Sequence, residues 1–222
     1  MTRGEIRARI ITALHEASPS PVRWTADEIN RFIDDGYQEM ARETGAISET
    51  VTLAVQAQTP YLDLPANCLY PIMWRDLTSG LPIDQVSLDW IESEDQHWMR
   101  RAASRPDYVA PFDLRTAILF PTYNVASNLE LTQAIIPAAI TSDATEPLLP
   151  ANYHRGLVFY GHYRALLKDA KGLRLGRALR QLGFYREVRS GLGDWAGGRH
   201  AELLKAISGT PLRTPTHSFE GA

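Results

Sequence analysis

The sequence predicts an α+β protein: a helical bundle made of an N-terminal helix pair and two C-terminal helices, with a central antiparallel β-rich insertion and a flexible C-terminal arm. Three observations carry this. Apolar residues recur every three to four positions as far as Gly45, the period drops to two after Glu49, and helical spacing returns after Pro150. The implied segments are residues 1–46 for the first helices, 47–145 for the insertion, 146–207 for the later helices and 208–222 for the arm.

Ile6, Ile10, Ala13, Leu14 and Ala17 share one face of a first helix, and Thr2 with Glu5 has the spacing of a capping box. Pro19 and Pro21 end it by removing amide donors and biasing the preceding residues away from helix. A second helix starts at Thr25, which can cap the amides ahead while Glu28 reaches back, with Trp24 and Ile29 as a hydrophobic staple. Ile29, Phe32, Ile33, Gly36, Tyr37 and Met40 form its apolar face, and Asp34, Asp35, Gln38 and Glu39 its solvated one. Gly45 is the expected stop.

Val51, Leu53 and Val55 alternate with smaller residues, so strands begin there, and Tyr61-Leu62-Asp63-Leu64-Pro65 reads as the return strand of a hairpin. A strand at 69–77 turns at Ser79-Gly80 into a second at 81–86, and Ser87 caps a short helix at 88–94 on the strands' edge. A proline-bounded loop at 106–111 precedes strands at 114–120 and 129–136. Beyond Pro147 and Pro150, residues 153–168 carry apolar groups on nearly all sides, which marks a central, buried helix. A basic helix follows at 173–188, broken by glycines at 191–198, with a short continuation at 203–207. The arm, with Pro211, Pro215, Gly209 and Gly221, has little to bury.

Several function classes are excluded on this reading. The 222 residues (24.8 kDa, 44% hydrophobic, 22% charged) form one large or two small domains with a real core. The longest apolar stretch, residues 134–140, contains Pro137 and falls far short of the ~20 residues of a membrane span. Cys68 is the single cysteine, so neither a disulfide framework nor a multi-thiolate zinc site is possible, and the N-terminus has no signal-peptide core. Gly191-Leu192-Gly193-Asp194-Trp195-Ala196 matches a dinucleotide fingerprint formally, but it follows an arginine-rich helix rather than a buried strand and reads as a helix break. Glu94 and His97 have a di-iron spacing without the second motif such a site needs. His154 and His162 fall on the buried helix, where packing or hydrogen bonding is the expected role. No nucleophile, base and acid come together in sequence, so no catalytic, cofactor-binding or metal-binding residue is assigned and no enzyme is expected.

The formal charge of -3 conceals two opposed halves. Residues 1–150 hold 11 basic and 21 acidic side chains; residues 151–222 hold 12 and 5. Arg164, Lys168, Lys171, Arg174, Arg177, Arg180, Arg186 and Arg189 are interrupted only by Asp169 and Glu187. Such a stripe suits nucleic-acid phosphates, with Phe184 or Tyr185 to stack on bases, and a nucleic-acid-binding regulator is the alternative function. The favoured partner is the acidic half of another copy, with Arg174, Arg177 and Arg180 at the subunit interface, because the complementary charge lies in the same chain. Leu212 and Phe219 are two anchors by which the arm could dock on a partner.

The order of several short segments resembles the head-to-tail adaptor, or connector, proteins of tailed bacteriophages, especially short-tailed ones. They are Trp24-Thr25-Ala26-Asp27-Glu28-Ile29; Asp34-Asp35-Gly36-Tyr37-Gln38-Glu39-Met40-Ala41; Thr44-Gly45; Tyr61-Leu62-Asp63-Leu64-Pro65; Leu149-Pro150-Ala151-Asn152-Tyr153-His154; and Tyr160-Gly161-His162-Tyr163-Arg164-Ala165-Leu166-Leu167-Lys168-Asp169. The resemblance implies a virion protein made in the host cytoplasm and assembled as a ring, usually of twelve copies, between the capsid portal and the tail nozzle. DNA would pass through its lumen without sequence-specific binding. It brings no catalytic residues, no cofactor and no membrane.

Overall fold

Thr2 and Glu5 close a reciprocal capping box: the Thr2 hydroxyl accepts from the Glu5 amide at 3.3 Å, and the Glu5 carboxylate accepts from the Thr2 amide at 3.0 Å. It opens helix α1 (Arg3–Ala13) in the computed structural model, which describes residues 1–14, 23–168 and 173–208. Helix α2 (Ala26–Thr44) starts at Thr25, whose hydroxyl accepts from the Glu28 amide at 3.2 Å. The Glu28 carboxylate does not complete a capping box; it accepts from Lys168 Nζ at 2.8 Å, because an ion pair from a distant helix competes for it. Gly45 ends α2 at φ 59, donating to Ala41 O. Prolines 19 and 21 and the arm residues 209–222 lie outside the described residues.

The chain divides into two compact units. The first comprises Met1–Thr50, Pro65–Pro71 and Thr132–Ala196, and is helical. A 3-10 turn (Ala151–Tyr153) leads into α4 (His154–Leu167), which packs on both α1 and α2. Ile6, Ile10, Ile29, Ile33, Met40 and Leu157 are fully enclosed in one core with Tyr37 and Tyr185, and each such aliphatic side chain contributes about 1.5–3 kcal/mol by leaving water. The expectation of a central, buried helix holds: α4 buries residues on several sides, from Leu157 and Tyr160 to Ala165 and Leu166. Two polar seams are bridged: Trp24 Nε1 donates to Ala165 O, and the Leu148 amide donates to the Tyr37 hydroxyl, both at 3.1 Å. His154 is buried with Nε2 2.8 Å from Leu149 O, the hydrogen-bonding role expected for it.

Helix α5 (Leu173–Ser208) corrects the expected break at 191–198. It runs unbroken through Gly191, Gly193, Gly197 and Gly198. Each interior glycine costs about 1 kcal/mol relative to alanine. Against this, Tyr185, Val188, Leu192 and Ala196 follow helical spacing and are buried, so packing outweighs propensity.

The second unit comprises Val51–Leu64, Ile72–Leu131 and the chain from Gly197. The strands are β1 (Ser48–Val55), β2 (Tyr61–Asp63), β3 (Cys68–Asp76), β4 (Pro82–Gln85), β5 (Ala102–Ala103), β6 (Tyr108–Pro111), β7 (Thr116–Phe120), β8 (Thr122–Tyr123) and β9 (Ser127–Ile135). Seven of them form a sheet in the order β1-β9-β3-β4-β6-β7-β2, and β5 pairs with β8 separately. Trp74 pairs with Ile83 across the β3–β4 hairpin, as the turn at Ser79-Gly80 predicts. Asp76 holds that turn by accepting from the Ser79 amide at 2.6 Å, and Gly80 takes φ 70.

Three expectations for the strands are corrected. Tyr61-Leu62-Asp63 is not the return strand of β1: it pairs antiparallel with β7, Leu62 opposite Ala117, on the other edge of the sheet. Residues 106–111 are not a loop throughout, since Tyr108–Pro111 forms β6, with Val109 opposite Leu119. Pro111 is tolerated at the end of the strand. The sheet is mixed rather than antiparallel, because β4 and β6 run parallel. The connection between them is long enough for a crossover, and it contains α3 (Leu88–Glu94), capped by Ser87 as expected. Ile91 and Trp98 seat this crossover on Ala110 and Ile118. A separate cluster around Trp74, Leu119, Tyr123, Leu129 and Leu131 forms the main core of the unit.

Candidate functional site

The basic helix α5 and the acidic face of α2 carry the opposed charges that the sequence sets apart as interaction candidates. Part of the charge is consumed within the helical unit. Lys168 meets Glu28 at 2.8 Å, Arg164 lies 3.6 Å from Asp35, and Arg189 contacts Glu43 at 2.5 Å and Glu39 at 3.5 Å. The opposed halves therefore satisfy each other partly inside one chain. Exposed pairs of this kind contribute about 0–1 kcal/mol each, so they orient α2 against its neighbours more than they hold the unit together.

An open cleft of about 760 Å³ sits over the Arg189 pairs, lined by Glu39, Glu43, Tyr163, Arg164, Arg186 and Arg189. Arg164 donates to the Tyr160 hydroxyl at 3.0 Å and lies over the Tyr160 and Phe32 rings. Burial, and then the Glu39 carboxylate, push the Tyr185 hydroxyl above the usual phenol range, so it stays protonated. Burial likewise raises Tyr160. Two of the three arginines on the cleft, Arg164 and Arg189, are engaged by carboxylates of α2.

Arg177, Arg180 and Arg186 are exposed and have no ion-pair partner among the described residues. Arg177, Arg180 and Phe184 follow i, i+3, i+7 along one side of α5; Leu175, Leu179 and Arg186 line another. Leu175 is 41% and Leu179 54% exposed. Gly176 and Gly183 lie between the two sides, and a methyl at either would meet nothing within 4 Å. Of the other residues assigned to the interface, Arg174 falls on the first turn of α5 with its side chain outside the described residues, and Leu212 and Phe219 lie outside them altogether.

The remaining candidates from sequence are dispersed. Glu94 ends α3 and His97 follows an extended Asp95, so the two do not share a helix face. Burial, and then Glu49, push the Cys68 thiol upward, away from activation. No group of three or more metal-ligating side chains converges among the described residues. No helix among them is long and apolar enough to cross a membrane. Sequence reading passed over the acidic patch of α3. Its signal was the density of Asp84, Asp89, Glu92, Glu94 and Asp95, of which Asp95 is taken by Arg101 at 2.6 Å.

The chain combines a helical unit that carries an exposed basic helix with a mixed sheet. The chain belongs to the SU10 adaptor protein family, whose family model matches residues 1–211. It is a bacteriophage head-to-tail adaptor, a structural component of the virion that interacts with other phage proteins. No curated protein matches it.

Proposed function

We propose that the protein assembles as a ring, with twelve copies, at the head-tail junction, between the capsid portal and the tail nozzle. The ring extends the DNA channel for packaging and ejection and supplies the surface on which tail proteins attach. Family membership over residues 1–211 supports this reading. The observation that carries it is the set of arginines on α5 left unpaired after α2 has taken Arg164, Lys168 and Arg189. Cations without an internal partner on an exposed helix, here Arg177 and Arg180, suit the basic side of a subunit or partner interface, to which we assign Arg174 of the same helix as well. Leu212 and Phe219 of the arm dock on the portal, and the lumen passes DNA without reading its sequence.

Negative-stain electron microscopy of the purified protein, alone and mixed with portal rings, tests the reading. The expected outcome is a twelvefold collar on the portal, with the free chain monomeric or weakly associated. The exposed Phe184 beside Arg177 and Arg180 favours a second reading, nucleic-acid regulation. That reading requires DNA affinity that falls steeply with salt and no collar.

A further inference from the structure

We infer that the uncovered side of α5 in one copy docks on the acidic crossover of a neighbouring copy, α3 together with the end of β4. The inference rests on the ring reading above and names both surfaces of its subunit contact. It proceeds by subtraction. The acidic half of the sequence offered many partners for the α5 arginines, but Glu28, Asp35, Glu39 and Glu43 on α2 already face Lys168, Arg164 and Arg189 of their own chain. Asp143 is held by Arg3 and Arg7, and Glu130 by Arg75.

What remains as a dense group is Asp84, Asp89, Glu92 and Glu94. All four are exposed, and none has an ion-pair partner among the described residues. The three free arginines of α5 are their counterpart in charge.

Apolar surface accompanies charge on both sides. On α5 it is Leu175 and Leu179. Beside α3 it is Met99, 54% exposed, at an open cleft of about 680 Å³ that Glu92, Gln96, His97, Trp98 and Arg100 also line. An apolar anchor seated in a cleft with charge pairs at its rim is the usual anatomy of a specific interface. Arg100 is the opposing charge there, and its position on the cleft wall argues for leucine side chains entering near it rather than arginines. Two different patches of one chain that fit each other make a head-to-tail contact, which closes into a ring when the rotation allows.

Charge exchange tests this with the full-length chain. One variant carries Arg177→Glu, Arg180→Glu and Arg186→Glu; a second carries Asp89→Lys, Glu92→Lys and Glu94→Lys; a third carries all six. Circular dichroism establishes that each is folded, since every position is exposed. Sedimentation velocity over a concentration series, and collar formation on portal rings, then read assembly. Each triple variant should raise the concentration needed for self-association by at least about tenfold and lose the collar. The six-fold variant, with the pairs re-formed in reverse, should recover both. If wild type assembles and the triples assemble equally well, this contact is wrong while the ring stands. If only the arginine set matters, or the six-fold variant fails to recover, α5 faces the portal or another partner and the proposed contact is overturned. A wild-type chain that forms no collar on any portal rejects the ring reading and the contact with it.

Discussion

Gly36 of α2 faces the ring of Tyr160 of α4 so closely that a methyl group in place of its hydrogen would lie 2.7 Å from Tyr160 Cδ1 and 2.8 Å from Cγ. Both residues stand in segments that carry the likeness to phage adaptors, so two short patterns more than a hundred residues apart meet in one helix contact. The Tyr160 ring has little room to retreat. It packs edge-on against Tyr185 at 4.9 Å and Tyr163 at 6.0 Å, and its hydroxyl is held by Arg164.

Gly36→Ala should therefore destabilise the protein by about 1–2 kcal/mol, because overpacking exceeds the gain in helix propensity. Gly198→Ala in α5, where a methyl meets nothing within 4 Å, should have the opposite sign and add up to about 1 kcal/mol. Urea denaturation of the two variants checks the pair; equal signs would mean that the α2–α4 contact is looser than described.

Thr25→Ala removes one cap hydrogen bond to an exposed amide and should cost about 1 kcal/mol. Leu157→Ala leaves a cavity in the fully enclosed core of the helical unit and should cost about 2–5 kcal/mol. The order of the two in chemical denaturation is the decisive readout.

Asp76 and Asp34 should answer pH in opposite directions. Burial alone would raise the Asp76 carboxyl, but hydrogen bonds from Ser79, Thr78 and the Tyr123 hydroxyl outweigh it and lower it below the usual carboxylate range. A depressed carboxylate contributes stability that is present above its unfolded pKa and lost as pH falls through the folded one. Asp76→Asn should thus cost about 1.5–3 kcal/mol at pH 7, with the difference shrinking as pH falls below the ordinary carboxylate range near about pH 4. Burial raises Asp34, despite the hydrogen bond it accepts from the Ile140 amide. The ionised form of Asp34 is therefore a liability that disappears at low pH, and Asp34→Asn should be neutral or stabilising at pH 7 and lose any advantage in acid. Thermal melts of both variants from pH 3 to 7 read the two trends.

Removal of residues 209–222 should leave the stability of the monomer nearly unchanged and abolish stable attachment to portal rings in a pull-down. The proposed anchors Leu212 and Phe219 go with the segment, and an arm that orders on binding contributes to attachment rather than to the free fold. Portal binding as tight as that of the full chain would place the docking surface in the helices.

Local chemistry was legible in the sequence. Thr2, Thr25 and Ser87 cap helices, Gly45 stops one in the left-handed region, and Ser79-Gly80 turns β3 into β4, because each of these signals acts over a few residues and needs no distant partner. The arginines of α5 were legible as an exposed charged surface for the same reason. Tertiary structure alone decided what depends on long-range contacts. β2 left the strand before it in sequence for β7, whose partner surface for Leu62 lies 55 positions away at Ala117. The glycine-rich stretch of α5 stayed helical because burying Tyr185, Val188, Leu192 and Ala196 outweighs the conformational entropy of four glycines. Which charges remain free was likewise a tertiary result: α2 and its neighbours had to fold together before Arg164, Lys168 and Arg189 found carboxylates, leaving Arg177, Arg180 and Arg186 without them.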